Sequence, residues 1–414
     1  KHSSKRPRIL IGKDTRKSGD MLEAALTAGL CSMGAKVIPL GVVPTPAVAY
    51  LTRYYKADAG VVISASHNPC EYNGIKFFNS DGYKLSDGIE NEIESYILGE
   101  KAIEELPTHG KVGYVSANHN AVEDYVAFAV STIDCRLDGM KIAVDCANGA
   151  SYETAFKALN KLGANVEAIH NTPDGVNINH MCGSTHMESL QAYVTSIGAD
   201  IGIAFDGDAD RMLAVDENGN LIDGDQIMAA CAKFMRDNGT LKQNTLVATV
   251  MSNLGLFMAG EKIGINIPRT KVGDRYVLEE MLAKGYNIGG EQSGHIIFLD
   301  HNTTGDGLVS ALQFLSVLKK TGMKASEAAS IVTVMPQVLR NAVVKLENKN
   351  SYMENEEIAA ACKALEDEFA GEGRVLIRPS GTEPLVRVMI EGKDEEYITK
   401  KAEELAELIE KILG

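Results

Sequence analysis

Nowhere in the 414 residues does an uncharged apolar run reach the length of about 18 that a membrane-crossing helix needs. Behind the basic start Lys1-His2-Ser3-Ser4-Lys5-Arg6-Pro7, the apolar piece is only Ile9-Leu10-Ile11, too short for the core of a secretory signal. Cysteine is spread thinly, at positions 31, 70, 135, 146, 182, 231 and 362. An odd number with no C-x-x-C pair argues against a disulfide framework and a structural zinc site, and fits a reducing compartment. The expected location is therefore cytoplasmic, with no membrane partner. Positive charge is also in deficit: 41 basic against 56 acidic residues give a net charge of -15. Nucleic acid and anionic membranes need a basic face, so neither is an expected partner, and an anionic ligand must be held by a local basic cluster.

What is present is globular. The length suits two to four domains, and three blocks repeat a strand-helix alternation that implies parallel strands covered by helices. In the first, strands are expected at Arg8–Ile11, Lys36–Leu40 and Gly60–Ile63, with helices over 20–33 and 46–55 and a further helix from the N-cap Ser86 to about 98. The second opens at Lys141–Asp145, continues with a helix over 150–162 and strands near 166 and 200, and closes with a hairpin of Leu213–Asp216 and Leu221–Ile222 around Asn218-Gly219. The third has a helix from about 223 to 237, a strand at Leu246–Thr249 and strands near 286–289 and 295–298. From about 340, a helix over 352–369, strands at Arg374–Ile377 and Leu385–Ile390 and a final charged helix read as α+β. The fold class is thus three α/β domains with mixed or parallel sheets plus a small α+β domain, over 1–120, 121–220, 221–335 and 336–414.

Four short stretches carry possible chemistry. Ser64-Ala65-Ser66-His67-Asn68-Pro69 follows an apolar strand. It is either a plain turn or a reactive serine at the C-terminal end of a parallel strand, where α/β proteins place such groups. In Asp206-Gly207-Asp208-Ala209-Asp210-Arg211, three alternating carboxylates would repel one another unless a divalent cation lies among them. An EF-hand is excluded, although Asp206, Asp208, Asp210 and Glu217 match its spacing: the required glycine is Arg211, and the flanks read as strands. A solvated acidic turn is the bland alternative. Magnesium on three carboxylates still needs further oxygens, and phosphate is their usual source.

The third stretch, Gly289-Gly290-Glu291-Gln292-Ser293-Gly294-His295, is a loop between strands with hydroxyl-binding and proton-transfer groups. The fourth, Arg378-Pro379-Ser380-Gly381-Thr382-Glu383-Pro384 with Arg387 beyond, gathers cations, hydroxyls and free amides suited to a phosphate. Two weaker signals stay open. Gly12-Lys13-Asp14-Thr15-Arg16 is either an anion site or a strand-to-helix turn. His180, Cys182 and His186 match no standard metal spacing and read as structural.

With residues 64–69, 206–211, 290–295 and 378–384 in this order, one per apparent domain, the chain resembles the α-D-phosphohexomutase superfamily. Within it the chain looks most like the bacterial phosphoglucosamine mutases, on Gln292, on Lys271-Val272-Gly273-Asp274-Arg275-Tyr276 and on Gly381-Thr382-Glu383, rather than the phosphomannomutase/phosphoglucomutases. The resemblance implies four domains around a central cleft, the last closing over the sugar, and a cytoplasmic enzyme, a homodimer in this family. Its reaction would interconvert glucosamine 6-phosphate and glucosamine 1-phosphate through a bisphosphorylated sugar, feeding UDP-N-acetylglucosamine and cell-wall synthesis.

In this reading Ser66 is a phosphoserine whose phosphate, with Asp206, Asp208 and Asp210, holds one magnesium ion. Glu291 and Ser293 bind sugar hydroxyls, with His67 nearby. Arg378, Ser380, Gly381, Thr382 and Arg387 grip the phosphate that is not transferred. Arg211 and Lys76 neutralise charge, and Lys76 or His295 takes the proton of the attacking hydroxyl. The rivals are a phosphomannomutase/phosphoglucomutase and a non-catalytic sugar-phosphate- or metal-binding protein. The family also has an earlier strand and helix with a Gly-Thr-Asp-Gly-Val-Arg-Gly-like stretch, and the expectation is that the natural chain continues upstream of Lys1.

Overall fold

A computed structural model of the chain describes residues 6–103, 105–352, 354–380 and 383–414. It divides into two compact units, one formed by the chain to residue 251 together with 264–331, the other by 252–263 and 332–414.

In the first unit, the strand Ala59–Ile63 (AGVVI) is buried from Gly60 onward, as a strand covered on both faces must be. It lies parallel to Arg8–Lys13 on one side and antiparallel to Ile75–Asn79 on the other. The full order is Ile75–Asn79, Ala59–Ile63, Arg8–Lys13, Lys36–Val42, Tyr114–Val115. The sheet is therefore mixed, one of the two forms expected. Residues 64–74 are fewer than the dozen or so a parallel crossover requires, so the chain can only turn back on itself. That return sets Lys76 opposite Val62, beside the exit of the Ser64–Pro69 turn.

A second mixed sheet runs Leu221–Ile222, Met212–Asp216, Ile201–Phe205, Lys141–Asp145, Asn165–Ile169. The strand Ile201–Phe205 (IGIAF) is buried at every position and pairs in parallel with Lys141–Asp145. It then reverses through residues 206–211 into Met212–Asp216, and the hairpin expected beyond it forms with Leu221 opposite Val215. Two smaller ladders follow: Ala248–Thr249 parallel to Arg269–Thr270, and Ile288–Gly290 antiparallel to Ile296–Phe298, bridged by Val247 and Gly289.

In the second unit, Gln337–Val343, Leu385–Glu391 and Arg374–Pro379 form an antiparallel sheet in that order. Two helices, Glu356–Phe369 and Glu395–Leu413, lie on it. Glu395–Leu413 buries Ile398, Ala402, Leu405 and Ile409, the three- and four-residue spacing of a single helical stripe. The helix Leu254–Ile263 belongs here as well. Leu254 N–H donates to the buried Glu391 carboxylate, which pairs with Arg374 at 2.5 Å, while Asn253 and Met335 exchange two hydrogen bonds of 2.9 Å.

Candidate active site

The exit of Ala59–Ile63 is more than a turn. Ser64 is buried and donates its Oγ–H to Asp14 while accepting the N–H of Ser66 at 3.0 Å. Ser66 has φ of +50°, an uncommon conformation for a residue with a Cβ. Its Oγ donates to Asp206 Oδ2 at 2.7 Å across the two sheets. Behind it, Arg16 donates through Nη2 to the carbonyls of Ser66, at 3.1 Å, and Asn68. Of the two readings of Gly12–Arg16, the strand-to-helix turn holds, between Arg8–Lys13 and Ser18–Ser32, and within it the wholly buried Arg16 guanidinium is spent on Asp14 and on the loop that carries Ser66. Lys13 faces the other way and pairs with Asp20 and Glu23. Burial pushes the Asp14 carboxyl above its ordinary range even though Arg16 opposes that shift.

Asp206, Asp208 and Asp210 are buried, and a carboxylate oxygen of each lies within 4.8 Å of the others. Burial, then the charges of Asp210 and Asp208, hold Asp206 well above its ordinary value. Burial alone would also raise Asp210, but Lys76 and His295 outweigh it and pull it below the carboxylate range. Asp208 accepts at Oδ2 from Thr45 Oγ1 and from Lys76 Nζ, both at 2.6 Å. Yet Asp208 Oδ1 and Asp210 Oδ1 are buried with no hydrogen-bond partner. Buried carboxylate oxygens left unpaired are costly, and a divalent cation bound by oxygens is the group that would satisfy them. These residues therefore fit a metal ion, with Ser66 Oγ on their rim.

Cationic side chains lie beside the cluster. Lys76 Nζ lies 3.7 Å from Asp210 as well. Burial by itself would lower its pKa, but the carboxylates of Asp208 and Asp210 prevail and keep the ammonium protonated above the ordinary lysine value. Arg211 donates its backbone N–H to Asp206 Oδ1 at 3.2 Å, and its side-chain Nε is 3.9 Å from Asp210 Oδ1. His295 is buried, with Nδ1 3.6 Å from Asp210 and Nε2 3.6 Å from Asp274. The N–H of Gly305 donates to His295 Nε2 at 3.2 Å. Gly305 has no room for a side chain, since a Cβ would come within 2.4 Å of that ring. His67 is exposed, with Nδ1 3.5 Å from Ser66 Oγ; partial burial of its ring and the charge of Arg211 lower its pKa.

The loop before His295 is pinned from outside. Gln292 donates to Asp223 at 3.0 Å, and Asp223 caps the helix Gly224–Asp237 through a reciprocal pair with Gln226. Glu291 accepts the N–H of Gly273 at 3.1 Å, and Ser293 is exposed. In the second unit, Arg378 and Arg387 are register partners on adjacent strands. Burial, then the charge of Arg387, lowers the pKa of Arg378. Ser380 Oγ accepts from Glu383 N–H at 3.2 Å, and its carbonyl accepts from Lys349 at 2.9 Å. Lys349, unflagged by the sequence, lies far from the motif in the chain. Gly381 and Thr382 lie outside the described residues.

Cys182 meets neither His180 nor His186 in a ligand cluster; among the described residues its partners are Asp145 and His170. The carboxylate of Asp145 is already engaged by the N–H groups of Ala147 and Gly183 and by His170 Nδ1 at 2.9 Å, which makes this a structural knot. The Asp145 hydrogen bond raises the His170 pKa above 6.5, so its stabilising contribution is complete below that pH and lost as pH rises through the raised value. The variant His170→Asn suits the site, because His170 has φ of +46° and asparagine tolerates it. The melting-temperature gap between wild type and H170N should narrow from about pH 6 to about pH 8; a constant gap would contradict the assignment.

Comparison with known proteins places the whole arrangement. Family models described as phosphoglucomutase/phosphomannomutase alpha/beta/alpha domains I, II and III match residues 1–104, 122–219 and 223–335, and the C-terminal domain of that family matches 342–408. A phosphoglucosamine mutase of Ruminiclostridium cellulolyticum is 63% identical over 98% of this chain and 90% of its own length. One of Acetivibrio thermocellus is 63% identical over 99% and 91%. Among solved structures, a phosphoglucomutase/phosphomannomutase family protein from Burkholderia thailandensis superposes with a TM-score of 0.80, at 22% identity, over 97% of this chain and 89% of that one.

Proposed function

This chain belongs to the phosphoglucomutase/phosphomannomutase family, the α-D-phosphohexomutase superfamily, and we propose from that premise that it is an isomerase interconverting glucosamine 6-phosphate and glucosamine 1-phosphate. The observation that carries this reading is Ser66 Oγ, 2.7 Å from Asp206 at the rim of three buried carboxylates with unsatisfied oxygens. A serine so placed is suited to hold a phosphoryl group whose charge a cation at that cluster offsets.

In the first half-reaction the sugar's O1 forms a bond to phosphorus as the Ser66 Oγ–P bond breaks, and the hydroxyl proton passes to a base. In the second, the bisphosphorylated sugar has turned round. Ser66 Oγ then bonds to the other phosphorus, and O6 leaves and takes a proton. Asp206, Asp208 and Asp210, with the phosphate on Ser66, would hold a magnesium ion, which would supply charge neutralisation to the transferring group. Arg211 and Lys76 contribute positive charge beside it, and Lys76 enters protonated because Asp208 and Asp210 hold it so. For His295 to accept a proton at Nε2, the Gly305 N–H must first release that nitrogen. Glu291, Ser293 and His67 are the proposed contacts to the sugar. Arg378, Ser380, Gly381, Thr382 and Arg387 are the proposed holders of the phosphate that stays in place. The same premise supports a cytoplasmic homodimer serving UDP-N-acetylglucosamine and cell-wall synthesis.

The amino sugar is preferred over neutral hexoses in this reading because curated relatives at 63% identity over nearly the whole chain are phosphoglucosamine mutases. Turnover of glucosamine, glucose and mannose 6-phosphates, measured side by side, should favour glucosamine 6-phosphate in kcat/KM by at least about tenfold, a difference of about 1.4 kcal/mol in transition-state binding. Equal values would return the chain to the phosphomannomutase/phosphoglucomutase reading.

A further inference from the structure

We propose that Asn179 is a positioning residue for phosphoryl transfer: with Arg16 it locks the backbone of the Ser66 loop so that Ser66 Oγ stays on the carboxylate cluster. The inference rests on Ser66 being the phosphoryl carrier. Asn179 Nδ2 donates to the carbonyl of Ser66 at 2.8 Å and to that of Asn68 at 2.9 Å. Those are the same two carbonyls that Arg16 Nη2 grips. Each thus takes one donor from the Arg8–Lys13 side and one from the segment leading out of the second sheet.

The asparagine is built for this duty rather than for its own segment. It is buried and sits at φ of +58°, fixed by its N–H to the carbonyl of Ala147 at 2.9 Å. Ala147, Asn148 and Met181 close by also have positive φ. Non-glycine residues in that region carry a conformational cost, and such residues gather where geometry matters to function. Asn179 Oδ1 is buried without a partner, so the side chain gives up half of its hydrogen-bonding capacity to place Nδ2. The metal loop closes over the same point. A Cβ on Gly207 would lie 2.7 Å from Asn179 Nδ2 and 2.7 Å from the Ser66 carbonyl, so only glycine lets the 206–211 backbone rest on the clamp. Ser66 loop, metal loop and Asn179 therefore meet in one tightly packed contact, and an error in one is passed to the distance between Ser66 Oγ and Asp206.

The test compares Asn179→Ala and Asn179→Ser with a control, Asn148→Ala, on the full-length protein with magnesium. Asn148 shares the strained segment, where its side chain accepts from Thr172 N–H and donates to the Asn177 carbonyl, and among the described residues its side chain makes no hydrogen bond to the Ser66 loop. Both Asn179 variants should lose kcat for glucosamine 6-phosphate by about 30- to 100-fold with KM changed less than about threefold, the pattern of a misplaced reacting group. N148A should lower the melting temperature yet keep kcat per folded molecule. Wild-type kcat in either folded Asn179 variant, or an equal kcat loss in N148A, overturns the proposal; if one Asn179 variant does not fold, the other decides alone. Intact mass separates this from a failure of the broader reading. A wild type that turns over without phosphate on Ser66 removes the carrier assignment itself. A phosphorylated, active wild type with fully active Asn179 variants removes only the clamp.

Discussion

Substituting Ser66 by alanine is expected to cut mutase turnover by about 10⁴-fold or more, the order seen when a covalent nucleophile is removed from an enzyme whose other groups remain. The protein should stay folded. The substitution costs the Oγ–H bond to Asp206, which is 2.7 Å long and part-buried, and a typical hydrogen bond is worth about 1 kcal/mol net. Its neighbour gives the contrast that makes this result specific. Ser64 is more deeply buried and holds both Asp14 and the Ser66 N–H, so Ser64→Ala should be the more destabilising change and the less damaging to turnover per folded molecule. Thermal melting and steady-state assays on the two variants, with intact mass on the wild type, separate carrier from scaffold. A Ser66→Ala protein at wild-type turnover would defeat the phosphoserine mechanism.

That contrast between Ser64 and Ser66 was only half legible in the sequence. The apolar run of Ala59–Ile63 announces a buried strand, and small residues after it announce a tight exit, but which serine turns toward the metal loop is set by φ at Ser66 and by Asp14. The three aspartates stood out as a candidate cation site because alternate carboxylates after an apolar strand repel one another unless a cation lies among them. The shape of the first sheet was less so: periodicity reports burial, and direction had to come from the shortness of the 64–74 connection. Helices over Leu254–Ile263 and Gly307–Thr321 escaped because their apolar residues are interrupted by glycine or nearly continuous, and Asp274–Lys284 because it buries only Val277 and Met281, too few to mark a stripe. The contacts of Arg16, Asn179 and Lys349 escaped for a different reason. Each acts on backbone carbonyls of a segment distant in the chain, and a contact of side chain to carbonyl leaves no residue-type signature at the receiving end. Gln292 shows the converse. It belongs to a motif that reads as sugar-binding, yet its amide is committed to Asp223 at the helix cap.

The metal loop should show opposite responses of stability and activity in Asp206→Asn. Asparagine keeps the shape of Asp206 and can still accept from Arg211 N–H at Oδ1, so the fold is retained. Without metal, the Asp206 carboxylate is a burden: burial, then Asp210 and Asp208, hold its pKa well above the ordinary 3.8. A group raised in this way favours the folded state fully below 3.8, and that contribution is lost as pH rises through the folded value. At neutral pH and in chelator, D206N should therefore melt higher than wild type, by about 2–4 °C for each kcal/mol relieved. Added magnesium should reverse the order, because a ligand that binds only the folded state raises the melting temperature in proportion to its affinity, and the variant has lost one of three anchoring carboxylates. Turnover should fall by at least about 10²- to 10³-fold, the range that accompanies loss of a preorganised electrostatic partner in the transition state. The crossing of the two melting curves is the decisive feature. Simple damage to the fold would lower D206N in chelator and in magnesium alike, and a site that holds no cation would leave both proteins unmoved by magnesium.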